Sequence, residues 1–370
     1  MKILITGSHF TPAQAVIEQL KKYSGTKLVY VGRIHTREGD KSVSVESKIL
    51  PTLGVKFISL TTGRLQRSFT VYTIFSLLKI PIGFIQSFWI LLQEKPDVVL
   101  SFGGYVAVPV VISAWVLSIP IIIHEQTLVI GLANKISSFF ASKVAVSFPK
   151  NGAILTGNPI RQEVLEPNKK NLTSSYQKII QNAKLGHLPL ILITGGNQGS
   201  HLINQTVLGC LNELTKIACV IHQTGDSKFQ DFVSIGDQQK TLEYPDRFLA
   251  QKWIEADELG KILREIDLVI SRAGINSLLE LAFVGIPTLA VPIPYVSYNE
   301  QNINAKFFAD LGLVTILPQK DLTPQNLVVE IKKMIKQIES LKKKAQSAKK
   351  VVISDAAQRL ALETTILAKS

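Results

Sequence analysis

Apolar residues in this chain recur in short blocks, each followed by a small-residue turn and then by an apolar stripe at helical spacing. The clearest block runs from Asp267 to Ala305. Asp267-Leu268-Val269-Ile270 ends in the β-branched run expected of a buried strand. Ser271-Arg272-Ala273-Gly274 is a turn, and a helix carrying Leu278, Leu279, Leu281 and Ala282 follows it. Gly285 ends that helix, Pro287 follows, and Thr288-Leu289-Ala290-Val291 restarts a strand. This is a βαβ unit whose helix begins just after a glycine, so its first N–H groups and positive dipole end face the turn. Glu280, six residues past Gly274, is either a solvated surface glutamate or a carboxylate placed to accept two hydroxyl hydrogen bonds, as a ribose diol would offer.

The same pattern opens the chain. Ile3-Leu4-Ile5 predicts a strand, Thr6-Gly7-Ser8-His9 a turn, and Pro12 to Lys22 an amphipathic helix. A strand, a glycine turn and a helix are how a Rossmann-type domain begins, but the full G-x-G-x-x-G spacing is absent. That argues against a dinucleotide and leaves phosphate or sugar binding open. Further strands are predicted at Leu28–Gly32, at Val55–Ile58 and, after Lys95-Pro96-Asp97, at Val98–Leu100. Ser101-Phe102-Gly103-Gly104-Tyr105 then leads into a helix from Val106 to Leu117, and the strand Pro120–Ile123 ends in His124-Glu125-Gln126-Thr127. Val144-Ala145-Val146 and Thr156-Gly157-Asn158-Pro159-Ile160-Arg161 close a first domain, 1–160. Its glycine loops fall on one edge of the sheet, where α/β sheets bind ligands.

Residues 69–92 are the most hydrophobic stretch. Their length suggests a membrane span, but Lys79 and Pro81 interrupt them and strands of one sheet lie on both sides. Phe75, Leu78, Ile82, Ile85, Trp89 and Leu92 predict instead an apolar face half buried in the domain. The outer side, with Arg64, Arg67 and Lys79 near, is either solvated or laid on an anionic membrane surface.

Residues 162–187 are polar and read as a connection. Leu190–Thr194, Gly195-Gly196-Asn197-Gln198-Gly199-Ser200 and a helix from Leu202 to Leu214 then repeat the opening of the chain, so 161–351 is a second Rossmann-like domain. The tail from Asp321 is helical and lysine-rich. Its last helix, Ala356 to Ala368 with Leu360, Leu362 and Ile366, needs a surface to cover, and 352–370 is expected to complete the first domain.

At 370 residues the chain exceeds one ordinary core. Two cysteines, Cys210 and Cys219, exclude a disulfide framework or a cysteine zinc site and fit a reducing compartment. The chain opens directly on a strand, so the cytoplasm is the expected location. Net charge is +13, and the first 160 residues hold 16 Lys/Arg against 7 Asp/Glu. An anionic partner is implied: nucleic acid, acidic lipid or a phosphorylated substrate. The lysine cluster lacks interleaved aromatics, which weighs against nucleic acid.

Six motifs, in order, resemble those of the MurG family of lipid II synthases. They are Thr6-Gly7-Ser8-His9 with Pro12, Gly103-Gly104-Tyr105-Val106, His124-Glu125-Gln126, Gly157-Asn158-Pro159-Ile160-Arg161, Gly195 to Ser200, and Gln301 with Asn304-Ala305. The resemblance implies the α/β GT-B plan, two Rossmann-like domains facing across a cleft. It implies transfer of N-acetylglucosamine from UDP-GlcNAc to undecaprenyl-pyrophosphoryl-muramyl-pentapeptide (lipid I) by a peripheral enzyme on the anionic cytoplasmic membrane surface. By the same resemblance, Ile254 and Arg161 hold the uracil side and Glu280 the ribose hydroxyls. The stretch from Ala273 through Ile275, Asn276, Ser277, Leu278 and Leu279 faces the diphosphate and sugar, and Gln301 the sugar hydroxyls. Thr6, Gly7, Ser8, Thr127 and Asn197 complete the donor surroundings. His9 is the general base or an orienting group, and Gly7, Gly103, Gly104 and Tyr105 line the lipid I diphosphate. Ser8, Thr127 and Asn197 stand where the family usually has Gly, Asn and Ser.

The chemistry is consistent with these residues. Helix N-termini can stabilise a leaving diphosphate without metal, and no Asp-x-Asp motif is present, so neither a metal nor another cofactor is expected. A near-neutral histidine can deprotonate the attacking hydroxyl. In-line attack would invert the anomeric centre. A glycolipid synthase of the same fold acting on diacylglycerol, and a non-catalytic UDP-sugar-binding scaffold, are the alternatives. His124-Glu125-Gln126 favours lipid I over the former, and intact His9, Glu280 and Gln301 weigh against the latter.

Overall fold

The computed structural model describes residues 1–34, 44–63, 71–168, 170–196, 198–226 and 229–370, with backbone alone for 45, 71–77 and 297. The chain forms two compact units, Met1–Arg161 with Ile353–Ser370, and Gln162–Val352.

The first unit runs β1 (Lys2–Thr6), α1 (Phe10–Leu20), β2 (Lys27–Gly32), α2 (Val45–Thr52), β3 (Lys56–Ser59), α3 (Val71–Glu94), β4 (Val98–Ser101), α4 (Ala107–Val116), β5 (Ile121–Glu125), α5 (Leu132–Ser138), β6 (Lys143–Val146) and β7 (Ile154–Leu155). The strands form one sheet, ordered β3-β2-β1-β4-β5-β6-β7, and every pairing is parallel. Parallel strands need covering on both faces, so their residues alternate between two cores. Ile3, Ile5, Tyr30, Leu100 and Ile122 pack with α1 and with the C-terminal helix, Ala356–Leu367. Leu4, Val29, Val31, Val99, Ile121 and Ile123 pack with Leu91 of α3 and with Val110, Val111 and Ala114 of α4.

Two expectations about helix faces are overturned. On α3 the residues turned inward are Gly83, Ser87, Leu91 and Glu94. Gly83 allows that approach, because a Cβ there would lie 2.5 Å from the Thr62 hydroxyl oxygen. The broad apolar face therefore points outward, with Leu78 63%, Ile85 61% and Trp89 60% exposed, and Ile82 and Leu92 also exposed. Arg64, Arg67 and the Phe75 side chain lie outside the described residues. On the C-terminal helix, Leu360 is fully buried with Ala357, Ala361 and Leu367, but Leu362 and Ile366 are exposed. Side-chain spacing alone does not say which stripe faces the sheet. No helix among the described residues is long and apolar enough to cross a membrane.

The second unit contains α6 (Gln162–Leu165), α7 (Ser174–Leu185), β8 (Leu190–Thr194), α8 (His201–Leu208), α9 (Leu211–Ile217), β9 (Cys219–Gln223), α10 (Asp231–Gln239), β10 (Phe248–Gln251), α11 (Ala256–Glu265), β11 (Leu268–Ser271), α12 (Ile275–Val284), β12 (Thr288–Ala290), α13 (Glu300–Asp310), β13 (Val314–Ile316), α14 (Pro324–Lys336) and α15 (Ile338–Ala345). Its parallel sheet is ordered β10-β9-β8-β11-β12-β13. The stretch 162–187 is not a bare connection. It supplies α6, which packs on α11, and α7, whose Tyr176, Ile179 and Ile180 are buried. The single helix expected from Leu202 to Leu214 is two, broken at Gly209, where a Cβ would sit 2.8 Å from Pro324 Cγ.

In each sheet the chain fills one side of its first strand and then returns to the other. The reversal falls between β1 and β4 in the first unit and between β8 and β11 in the second. Loops that diverge at such a point leave a crevice at the carboxyl ends of the strands.

Candidate active-site residues in the two units

The first reversal point is lined by the turns after β1 and β4. Gly7 has φ +145°, and a Cβ there would be 2.8 Å from Phe102 Cβ, so only glycine fits against the second turn. The Tyr30 hydroxyl donates to Gly7 O at 3.0 Å, and Ser8 N donates to Gly103 O at 3.0 Å, which ties the two turns together. Gly104, with φ +81°, faces the Ser8 hydroxyl so closely that a Cβ would collide with it. Gly103 abuts the Asn134 amide in the same way. Thr6 Oγ1 and Ser8 Oγ are buried and have no hydrogen-bond partner among the described residues.

His9 is the N-cap residue of α1, and its side chain makes no capping bond. Burial pushes its pKa below the ordinary value while the Glu125 charge opposes that, so the imidazole is neutral and able to accept a proton near pH 7. His124 is fully buried. Its Nε2 donates to Gly157 O at 2.9 Å and its Nδ1 accepts from Gln126 Nε2 at 3.2 Å. Burial drops its pKa to about 4, so it is a structural, neutral histidine. Glu125 is held by Thr127 N at 3.0 Å, Thr127 Oγ1 at 2.7 Å, Gly131 N at 3.3 Å and Asn134 Nδ2 at 2.9 Å. The Thr127 hydroxyl is thus engaged within its own loop, which also offers it Val129 O at 2.5 Å. Tyr105 is joined by a residue the sequence reading passed over, Arg33, whose Nη1 donates to the Tyr105 hydroxyl at 3.1 Å. Arg33 lies in the polar stretch after β2, and nothing in its sequence neighbourhood marks it. Arg161, partly buried, ends the unit.

In the second unit the turn after β8 carries Gly196 (φ +80°) and Gly199 (φ +72°), while Asn197 lies outside the described residues. Ser200 caps α8. Its hydroxyl also accepts from Arg272 Nε at 3.2 Å and Nη2 at 2.8 Å, while Arg272 Nη1 reaches Val291 O at 3.0 Å and Gln319 Oε1 at 2.9 Å. One guanidinium therefore clamps the turns after β8, β11 and β12, a role the sequence analysis did not assign. Below them, buried His222 contacts Asn204 Oδ1 at 3.0 Å, and burial takes its pKa to about 3.

Gly274 is the N-cap of α12, and Leu278 N already donates to Gly274 O at 3.0 Å. The first-turn N–H groups of Ile275, Asn276 and Ser277 precede that bond and point out of the helix end. The side chains of Leu278 and Leu279 are 0% and 2% exposed and pack in the core. Glu280 is buried at 5% exposure on the same helix. Gln301 Oε1 accepts from Ile293 N at 3.0 Å, which leaves its amide Nε2 as the donor. Before it, Tyr298 and Asn299 both have positive φ (52° and 55°), a strained approach to α13. Ile254, buried, sits in the loop before α11. No three His, Cys, Asp or Glu side chains among the described residues converge on a metal position.

Comparison with known proteins matches residues 6–146 to the glycosyltransferase family 28 N-terminal domain and residues 190–360 to its C-terminal domain. The UDP-N-acetylglucosamine–N-acetylmuramyl-(pentapeptide) pyrophosphoryl-undecaprenol N-acetylglucosamine transferase of Clostridium kluyveri is 35% identical over 345 residues, 90% of this chain and 91% of that protein. The enzyme of the same name from Bacillus cytotoxicus is 32% identical over 97% of both chains. The crystal structure of Acinetobacter baumannii MurG superposes with a TM-score of 0.70 at 25% identity, covering 99% of each chain. A UDP-glucosyltransferase from Polygonum tinctorium, 14% identical, shares the fold with a TM-score of 0.69 over 100% of this chain and 99% of that one.

Proposed function

The chain belongs to the MurG family within glycosyltransferase family 28, and on that footing we propose that it moves N-acetylglucosamine from UDP-GlcNAc to the muramyl 4-hydroxyl of lipid I, giving lipid II. The observation that carries this is likeness over nine-tenths or more of the chain to transferases of that name, with the N-terminal family domain in the first unit and the C-terminal one in the second up to Val352.

Each residue then has a task. Glu280 accepts the ribose hydroxyls, and Ile254 and Arg161 meet the uracil. The first-turn N–H groups of α12 and the glycine turn after β8 receive the diphosphate, where a helix N-terminus stabilises the charge that builds as the anomeric C–O bond breaks. Gln301 Nε2 donates to a sugar hydroxyl. His9 takes the proton of the attacking 4-hydroxyl as the new C–O bond forms and UDP leaves, inverting the anomeric centre. Arg272 positions the phosphate turns without touching substrate.

The acceptor is lipid-linked, and this reading lays the first unit on the anionic cytoplasmic face of the membrane. Support comes from the outward apolar stripe of α3 and from exposed Trp115 and Phe139. Anionic lipid would also attract the excess of basic residues in that part of the chain.

The test is UDP release from UDP-GlcNAc in the presence of a short-chain lipid I analogue. Acceptor-dependent release should fall on the order of 10²–10⁴-fold in His9→Ala. Glu280→Ala should raise the KM for UDP-GlcNAc by roughly tenfold or more, the effect of losing charge-assisted hydrogen bonds. Release that persists without acceptor, or is unchanged in His9→Ala, would remove the assigned base. Transfer to diacylglycerol in place of lipid I would overturn the acceptor.

A further inference from the structure

Arg33 follows β2 and Tyr105 follows β4, and β1 runs between those two strands. Two strand spacings, about 9.6 Å, separate their ends. The Arg33 side chain crosses that gap. Its Nη1 donates to the Tyr105 hydroxyl at 3.1 Å, and its Cζ stands 5.6 Å from the Tyr105 ring centroid. The guanidinium thus bridges over the β1 turn, the one carrying Gly7, Ser8 and His9.

Three facts show that this cation is unfinished. Among the described residues its buried Nε meets no acceptor and no carboxylate forms an ion pair with it. Glu46 lies close enough to feel its charge, yet burial makes that carboxyl harder to ionise. The Tyr105 hydroxyl accepts from Arg33, so its own proton is turned away from the guanidinium. A guanidinium N–H and a phenol O–H would together present donors to one anion, the set that binds a phosphate group. The backbone of Arg33 is fixed for this task, since its carbonyl accepts from Ser44 Oγ at 2.8 Å.

We propose that Arg33, through its bridge to Tyr105, is a binding residue for the diphosphate of the acceptor substrate, which it grips beside the His9 turn. This rests on the reading of the first unit as the acceptor-binding one. Arg33 would supply charge and direction, Tyr105 a second donor, and the loss of either would weaken acceptor binding without touching the donor.

The experiment compares wild type with Arg33→Met, Arg33→Lys and Tyr105→Phe in two assays. In steady-state transfer, Arg33→Met should raise the KM for the lipid I analogue by on the order of ten- to a hundredfold and leave the KM for UDP-GlcNAc within about twofold. Arg33→Lys should recover part of the loss, and the salt sensitivity of acceptor KM should shrink in Arg33→Met. In calorimetry with inorganic pyrophosphate and saturating UDP, wild type should bind and Arg33→Met should bind on the order of tenfold more weakly. This second assay needs no turnover, so it still decides the matter if wild type fails to transfer and the functional reading itself falls. Unchanged acceptor KM and pyrophosphate affinity in a folded Arg33→Met would overturn the proposal. So would a raised acceptor KM with unchanged pyrophosphate binding, which would move the contact to the carboxylates of the stem peptide. Equal rises in donor and acceptor KM would reduce Arg33 to a loop support.

Discussion

Replacing Leu78, Ile85 and Trp89 together with glutamine would strip the outward stripe of α3 while keeping good helix formers there. These side chains are 63%, 61% and 60% exposed, so the protein itself buries only the remaining fraction. Full burial of a large apolar side chain is worth about 1.5–3 kcal/mol. The exposed fraction leaves roughly 1–2 kcal/mol per residue for a membrane to collect, or about 3–5 kcal/mol for the three. That corresponds to a loss on the order of a hundred- to thousandfold in partition onto vesicles. Sedimentation with vesicles rich in phosphatidylglycerol reads the partition, and the thermal midpoint read in parallel should move little, because surface substitutions change stability by about 0.5 kcal/mol or less each. Transfer to a water-soluble acceptor analogue should persist, since the three exposed side chains face away from the sheet that carries the site. A triple variant that still sediments like wild type would refute membrane docking through α3. A variant that unfolds would refute the geometry, by showing that the stripe is packed rather than exposed.

Gly199→Ala should lose donor binding and several kcal/mol of stability, because a Cβ there collides with Thr224 O and lies 3.0 Å from Gly225 Cα at a φ of +72°. Gly196→Ala, with φ +80° and open space around it, should lose only the left-handed penalty of about 1–2 kcal/mol. Equal effects in urea denaturation would sink the steric argument. Stability should also decline in acid. His124 and His222 are held neutral by burial with pKa values of about 4 and about 3. The unfolded chain takes up those protons near pH 6.5 while the native state refuses them. Their contribution is therefore complete above about pH 6.5 and is lost as pH falls toward 4 and below. An unfolding free energy that stays flat from pH 7 to pH 4 would contradict it. For catalysis the lowered His9 pKa has the opposite reading: the neutral base persists below pH 6.5, so the acid limb of kcat/KM should lie under that value.

The βαβ rhythm was legible because parallel strands must be apolar on both faces and glycine must sit where two turns cross, as Gly7 does against Phe102. Leu190–Thr194 and the turn before α12 were readable for that reason, and so was the candidate set of His9, Glu280 and Gln301, which stands in short motifs next to the strand ends. Less legible were elements whose residues are polar because only one narrow side is buried, such as α7, where Tyr176, Ile179 and Ile180 are the buried minority.

The sequence by itself determined the two parallel sheets, the glycine turns at their carboxyl ends and the family. Periodicity and motif are properties of neighbours along the chain, so they can be read without coordinates. Only the tertiary structure decided which stripe of α3 faces the sheet, because Gly83, Ser87 and Leu91 make a closer fit than the bulkier residues opposite. It alone showed that the side chains of Leu278 and Leu279 are buried in the core. It also brought Arg33 to Tyr105 and Arg272 to Ser200, contacts 72 residues apart in both cases, and separation in sequence carries no mark of contact in space.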